Sequence, residues 1–237
     1  MKNRKKSFLI SVLYRDSDIL VVDKPVDLPV HKNDFMPNDA PYLTKLLGME
    51  TGKWIYNVHR LDAKTSGVMV LALSKEVANR LALQFERKEV KKKYQAVVRG
   101  NPGEGFFDSR VVVKKKTRFK KPALTTYTTR NTIKTDISYK TYDNIELSRV
   151  EVIPETGRWH QIRQHFAANR FDIIGDTHHG DFALNKIVME KTKSKRLFLH
   201  ASELEFMHPS TGKQVHFNAP LPVEFENLFA ILSLVDH

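Results

Sequence analysis

The chain has no cysteine. That removes disulfides, thiolate nucleophiles and every zinc site built on cysteine, and it suits a reducing compartment. Nor does any uninterrupted apolar stretch approach the roughly 20 residues that a membrane span requires. Lys2, Arg4, Lys5 and Lys6 precede the apolar run Phe8 to Leu13 in imitation of a secretory leader, but Tyr14-Arg15-Asp16 follows at once and no small-residue cleavage site appears. A cytoplasmic protein that touches no membrane is expected. Acid is short as well: 27 Asp and Glu stand against 39 Lys and Arg, for a net charge of +12. Such a surface attracts polyanions and releases their counterions, so nucleic acid is the expected partner class. There is neither an internal repeat nor a linker, so residues 1–237 are expected to form a single domain.

With 41% hydrophobic residues the chain can bury a substantial core. Apolar runs at Phe8 to Tyr14 and Ile19 to Asp23 predict two short strands, the second ended by Lys24-Pro25. Pro29, Pro37 and Pro41 mark 26–41 as a loop, in which His31 is a loop histidine. A short helix is expected over 43–47. Ser74 caps another over 75–89, its buried face carrying Val77, Leu81 and Phe85. Residues 94–99 predict a strand with Tyr94, Ala96 and Val98 on its inward face. A loop over 101–107 leads to a strand at 111 and then to a basic arm, 114–121, with six Lys or Arg.

Alternation at 123–130, 138–142 and 146–153 predicts antiparallel strands with one wet face. A helix over 158–169 follows, with Trp159, Ile162 and Phe166 along one side and Arg163 at the edge of that face. An arginine so placed either reaches water or meets a buried acid. The segment 182–195 is polar and carries no predicted element. A hairpin through 196–206 and 215–217 and a C-terminal amphipathic helix, 224–235, complete an α+β chain with a mixed, largely antiparallel sheet flanked by helices and loops. His178 and His179, with Asp176 and Asp181, are the one cluster with metal-ligand chemistry. Adjacent histidines on a strand point opposite ways, so no metal is expected.

One stretch, His59-Arg60-Leu61-Asp62-Ala63-Lys64-Thr65-Ser66-Gly67, lies between the aromatic segment Trp54 to Val58 and the apolar run Val68 to Leu73. A single acid, beside a guanidinium and before small turn-forming residues that lead into a buried strand, presents one carboxylate at a strand edge. Asp62 is therefore the candidate reactive group; the alternative is an acid that only caps a turn.

With Ile19 to Pro25, Lys93-Tyr94 and Gly100, Gly157-Arg158-x-His160-Gln161-Ile162-Arg163, Ile174-Gly175-Asp176, and Leu199-His200-Ala201 followed by His208-Pro209, this stretch resembles the RluA-type pseudouridine synthases, which isomerise uridine in RNA. The resemblance covers nearly the whole chain. It is sharpest toward tRNA-modifying members, through Val30-His31-Lys32, Lys121-Pro122-Ala123-Leu124-Thr125 and the run Gly175 to Asp181.

The resemblance implies the pseudouridine synthase catalytic fold without an S4 RNA-binding domain, since few residues precede the first core strand. It implies that Asp62 is the catalytic carboxylate, that Arg163 supplies its counter-charge, and that Tyr94 stacks on the uracil with its hydroxyl placed to take the C5 proton. Because a paired base cannot enter such a pocket, the target is unpaired or flipped. Arg60 contacts RNA and fills the space the base leaves, and Leu199 lies against the base. His59, Lys93 and the arm residues Lys115, Arg118 and Lys120 are further RNA contacts. The isomerisation needs no redox step, so no cofactor is expected. The implied partner is tRNA, with large-subunit rRNA the alternative, and the protein is expected to be a monomer. Two other classes stay open at this point: an RNA-binding assembly factor without chemistry, and a hydrolase using Asp62 with His160.

Overall fold

A computed structural model describes residues 8–32, 36–114 and 119–234. In chain order its elements are β1 (Ser11–Arg15), β2 (Ile19–Lys24), α1 (Leu43–Thr51), β3 (Tyr56–Asn57), β4 (Ser66–Ala72) and α2 (Lys75–Glu86). There follow β5 (Lys91–Arg99), β6 (Glu104–Lys114), β7 (Phe119–Lys134), β8 (Glu146–Pro154), α3 (Gln161–Ala168) and α4 (Phe182–Thr192). The last elements are β9 (Leu199–Met207), β10 (Gln214–Asn218) and α5 (Val223–Leu232). The fold is α+β with mixed, largely antiparallel strand pairing. It divides into two compact units, Met1–Val90 with Leu204–Ala219, and Lys91–Glu203 with Pro220–His237.

In the first unit β2 pairs antiparallel with both β1 and β4, with Ile19 opposite Ala72 and Lys24 opposite Gly67. Every residue of β4 is buried, as in a strand covered on both faces, and its composition is accordingly continuous rather than alternating. The Ser74 side chain accepts the Val77 N–H and starts α2, whose Val77 and Leu81 are buried. His208 and Lys213 close the turn between β9 and β10.

The second unit contains an antiparallel series, β5 with β8, β8 with β7, and β7 with β6. Successive residues of a strand face opposite sides, and β5 uses both. Ala96 and Val98 join Phe107, Val152, Ile162 and Phe166 in one core, which α3 covers. Val97 joins Ile174, Leu184, Val188, Phe198 and Phe225 in another, built on α4 and α5.

Several boundaries differ from the sequence pattern. Strand β6 begins at Glu104, inside the stretch expected to be a loop; Phe107 is buried and Phe106 is 65% exposed, so the alternation extends through the glycines. At 138–142 there is only an isolated bridge between Tyr139 and Tyr142. Helix α3 starts three residues later than expected, because His160 adopts left-handed backbone angles and stands outside it. Residues 182–192 form α4, capped by the Asp181 carboxylate, which accepts from the N–H groups of Ala183 and Leu184.

Candidate active site

Asp62 is partly buried on the loop joining β3 to β4, between buried Leu61 and exposed Lys64. The Thr65 N–H donates to the Asp62 carbonyl at 3.0 Å and closes a turn. Lys24, the last residue of β2, is fully buried; its ammonium donates to the carbonyls of Pro25 at 2.8 Å, Leu28 at 2.9 Å and Ala63 at 3.2 Å. An ammonium can be buried only where such acceptors replace its water. Here one of them belongs to the residue after Asp62. A second fastening joins the same two loops, as Lys64 pairs with Asp27 at 2.8 Å. The Asp62 loop is thus fixed through its backbone and through Lys64.

Two further residues of the motif flank it. His59 accepts the Val70 N–H on Nε2 at 3.1 Å, and its ring stacks on Phe85. Pairing of β3 with β4 ends at Asn57 opposite Leu71, so His59 takes the place of the next strand partner. Arg60 is exposed. Burial, with a smaller effect of the Arg60 charge, holds His31 below the ordinary histidine value and keeps it neutral.

In the second unit one acid and two histidines are linked through Arg163. This side chain, 5% exposed, meets a buried acid rather than water: Nε and Nη2 each donate to Asp176 at 2.7 Å. Asp176, 1% exposed, also accepts the N–H groups of His178 and His179 at 2.8 and 3.0 Å. Burial alone would raise its carboxyl, but the Arg163 hydrogen bonds and charge and the two N–H groups overcome this and hold it at about 2. On the other side of the guanidinium, Nη1 donates to His160 Nε2 at 3.0 Å, and His160 Nδ1 lies 2.9 Å from His179 Nε2. Burial, then the neighbouring positive charge of Arg163, pushes His160 down to about 2, and burial pushes His179 down to about 4.

The imidazoles of His160, His178 and His179 bring ligand nitrogens within 4.8 Å of one another. Their chemistry does not suit a cation. Arginine only donates, so His160 Nε2 is the acceptor and Nδ1 carries the proton a metal would have to displace, with a guanidinium 3.0 Å away. Nor do the acids near them in sequence join the group: Asp176 is committed to Arg163, and Asp181 caps α4 while accepting from Tyr139 and Lys140. His178 and His179 lie in a turn with their rings 4.5 Å apart, not on opposite faces of a strand.

Residues 18–168 of this chain match a family model described as RNA pseudouridylate synthase. This chain belongs to that family. It is therefore an RNA pseudouridine synthase, an isomerase. A tRNA pseudouridine synthase C of Yersinia pestis is 36% identical over 221 residues, which cover 89% of this chain and 86% of the relative. Another so named, from Pasteurella multocida (strain Pm70), is 35% identical over 232 residues, 94% of this chain and 96% of the relative. The solved structure of Human RNA Pseudouridylate Synthase Domain Containing 1 matches with a TM-score of 0.73 at 26% identity, over 95% of this chain and 88% of that one.

The remaining expected site residues of the synthase lie in the second unit. Tyr94 is partly buried on β5, opposite Val152, and packs against the core beneath α3. Lys93 pairs with Glu203 at 3.2 Å. Leu199 is 3% exposed in that same core, and Lys120 is exposed on β7. Lys115 and Arg118 lie outside the described residues. Two roles escaped the sequence: Asp176 as the partner of Arg163, and Lys24 as the anchor of the Asp62 loop. Asp176 stood out in the sequence only through the Ile-Gly-Asp run and its place beside His178 and His179, and Lys24 only as a strand-ending residue before proline.

Proposed function

We propose that this synthase converts a uridine of tRNA to pseudouridine, with Asp62 as the catalytic carboxylate. The observation that carries this reading is the bracing of the Asp62 loop by Lys24 and Lys64, which leaves one acid presented on a fixed backbone. Relatives that share about a third of their residues with this chain bear tRNA in their names, which supports tRNA as the substrate. In the reaction the N1–C1′ bond breaks, the uracil turns, C5 bonds to C1′, and C5 loses its proton while N1 gains one, so the atoms balance with no external reagent. Asp62 opens the first bond, by attack or by taking a sugar proton. Arg163 supplies the counter-charge that keeps this carboxylate ionised in a partly desolvated site. Tyr94 stacks on the uracil and takes the C5 proton.

RNA is held by Arg60, which enters the space left by the flipped base, and by His59, Lys93, Lys115, Arg118 and Lys120, with Leu199 against the base. The tRNA substrate puts this work in the cytoplasm, and since one chain carries all these residues, the enzyme acts as a monomer.

The test is release of tritium from tRNA labelled at uridine C5. The wild-type protein should release it, and Asp62→Ala should release none while binding tRNA as tightly as before. Normal release by Asp62→Ala would overturn the assignment, and modification of rRNA but not tRNA would reassign the substrate.

A further inference from the structure

We propose that His179 is a positioning residue, which accepts the Nδ1 proton of His160 and so fixes that ring with Nε2 open to the Arg163 guanidinium. The proposal rests on the reading of Arg163 as the counter-charge of the site. Hydrogen-bond polarity carries it. Arg163 Nη1 is only a donor, so His160 Nε2, 3.0 Å away, must accept. A neutral imidazole with an unprotonated Nε2 carries its proton on Nδ1, and that proton meets His179 Nε2 at 2.9 Å. His179 Nε2 then accepts, and its own proton sits on Nδ1. The donors and acceptors are consistent along the whole line from guanidinium to His179.

Three observations show that the line is built. First, Asp176 closes it into a ring: the carboxylate that binds Nε and Nη2 of Arg163 also accepts the backbone N–H of His179. One acid therefore sets both the guanidinium and the turn that presents the histidine. Second, His160 holds φ at 49°, a left-handed conformation that a residue with a β-carbon adopts at a cost. Third, Trp159 stacks on the His160 ring, with centroids 3.9 Å apart and planes 20° from parallel, which limits rotation of the imidazole. The groups facing His179 are Asp176, Arg163, His160, His178 and Trp159. The low values of His160 and His179 keep both rings neutral in the physiological range, as the line requires.

Without an acceptor at 179, the buried His160 Nδ1 proton loses this partner, a cost that lets the ring turn away from Nη1 and sample its other tautomer. The guanidinium then loses its hold on His160. His179→Phe should lower kcat for tRNA pseudouridylation about tenfold while KM for tRNA changes less than about twofold. His179→Gln, whose side-chain oxygen can accept the same proton, should recover most of the loss. The direct readout is imidazole nitrogen NMR of the full chain labelled with nitrogen-15. In the wild type His160 Nε2 should be unprotonated, and in His179→Phe the two tautomers should mix. A protonated His160 Nε2 in the wild type overturns the proposal, and so does wild-type kcat in His179→Phe. Arg163→Ala is assayed alongside. If it turns over normally, the reading of Arg163 fails while the NMR result still decides the tautomer. If it is inactive and His179→Phe is not impaired, only the proposal fails.

Discussion

The Nζ of Lys24 donates to the carbonyl of Ala63 across 3.2 Å, tying the end of β2 to the residue that follows Asp62. The same ammonium serves Pro25 and Leu28, so three carbonyls converge on one buried charge. In Lys24→Met the volume is nearly kept and the donors are lost. Stability should fall by roughly 2–4 kcal/mol, since several buried acceptors are left without partners. Urea unfolding measures this, and tritium release at a temperature where the variant is folded should fall as well. A variant that loses stability but keeps full turnover would show that Asp62 does not depend on this anchor.

The buried network beneath α3 has a polarity that can be worked out atom by atom. The Ser109 carbonyl only accepts, so His165 Nε2, at 3.2 Å, carries the proton and Nδ1 accepts. The Thr125 hydroxyl, 2.9 Å from Nδ1, must then donate to it, while its oxygen accepts from Gln161 Nε2 at 3.0 Å. Thr125→Val matches the shape and removes both functions. A loss of about 2–3 kcal/mol is expected in urea unfolding, because two buried polar groups lose their partner. Unchanged stability would mean that His165 and Gln161 find other partners.

Acid should destabilise the fold earlier than its carboxylates alone would dictate. His160 and His179 stand well below the ordinary histidine value of 6.5, at about 2 and about 4. The unfolded chain therefore binds protons that the folded chain refuses, and the stability these groups contribute is whole above pH 6.5 and is lost as pH falls toward their folded values. Asp176, lowered from 3.8 to about 2, has the same sign but acts only below about pH 4. Tm measured from pH 7.5 to 4.5 should decline through the upper window. His31 and His165 are also held below their ordinary values, so in His179→Gln the decline should shrink without vanishing. An identical slope in that variant would show that His179 titrates normally in the fold.

What the sequence makes legible is local. Continuous apolar composition gives β4, and a serine before a helical apolar face gives the start of α2, because both signals are spent within a few residues. Helix α4 was hidden since only Leu184 and Val188 of it are buried, leaving a weak apolar face; the Asp181 cap was its one local sign. The site shows the same divide. Asp62 stands out within its own motif, whereas the acid that meets Arg163 lies 13 residues further along the chain and is brought back by a turn. Whether a lysine ending a strand faces water or three carbonyls depends on where two loops come together, and no periodicity encodes that.

That turn depends on Gly175. Its φ is +79°, and a β-carbon there would lie 1.9 Å from the Arg196 carbonyl oxygen and 2.8 Å from its carbon. The neighbouring backbone has no room to yield, since Phe198 N–H donates to the Ile174 carbonyl and the Asn185 side chain bonds both Gly175 N–H and the Asp176 carbonyl. Gly212 offers the comparison: φ is +65°, with nothing within 4 Å of its β-carbon position. Gly212→Ala therefore isolates the cost of the left-handed backbone, about 1 kcal/mol, whereas Gly175→Ala adds the collision and should lose roughly 3 kcal/mol or more. Because Asp176 follows directly, Gly175→Ala should also impair tritium release under conditions where it remains folded. Gly212→Ala should not. Equal losses of stability in the two variants, by urea unfolding, would mean that the Arg196 carbonyl gives way, and the tight seat of the Asp176 turn would have to be abandoned.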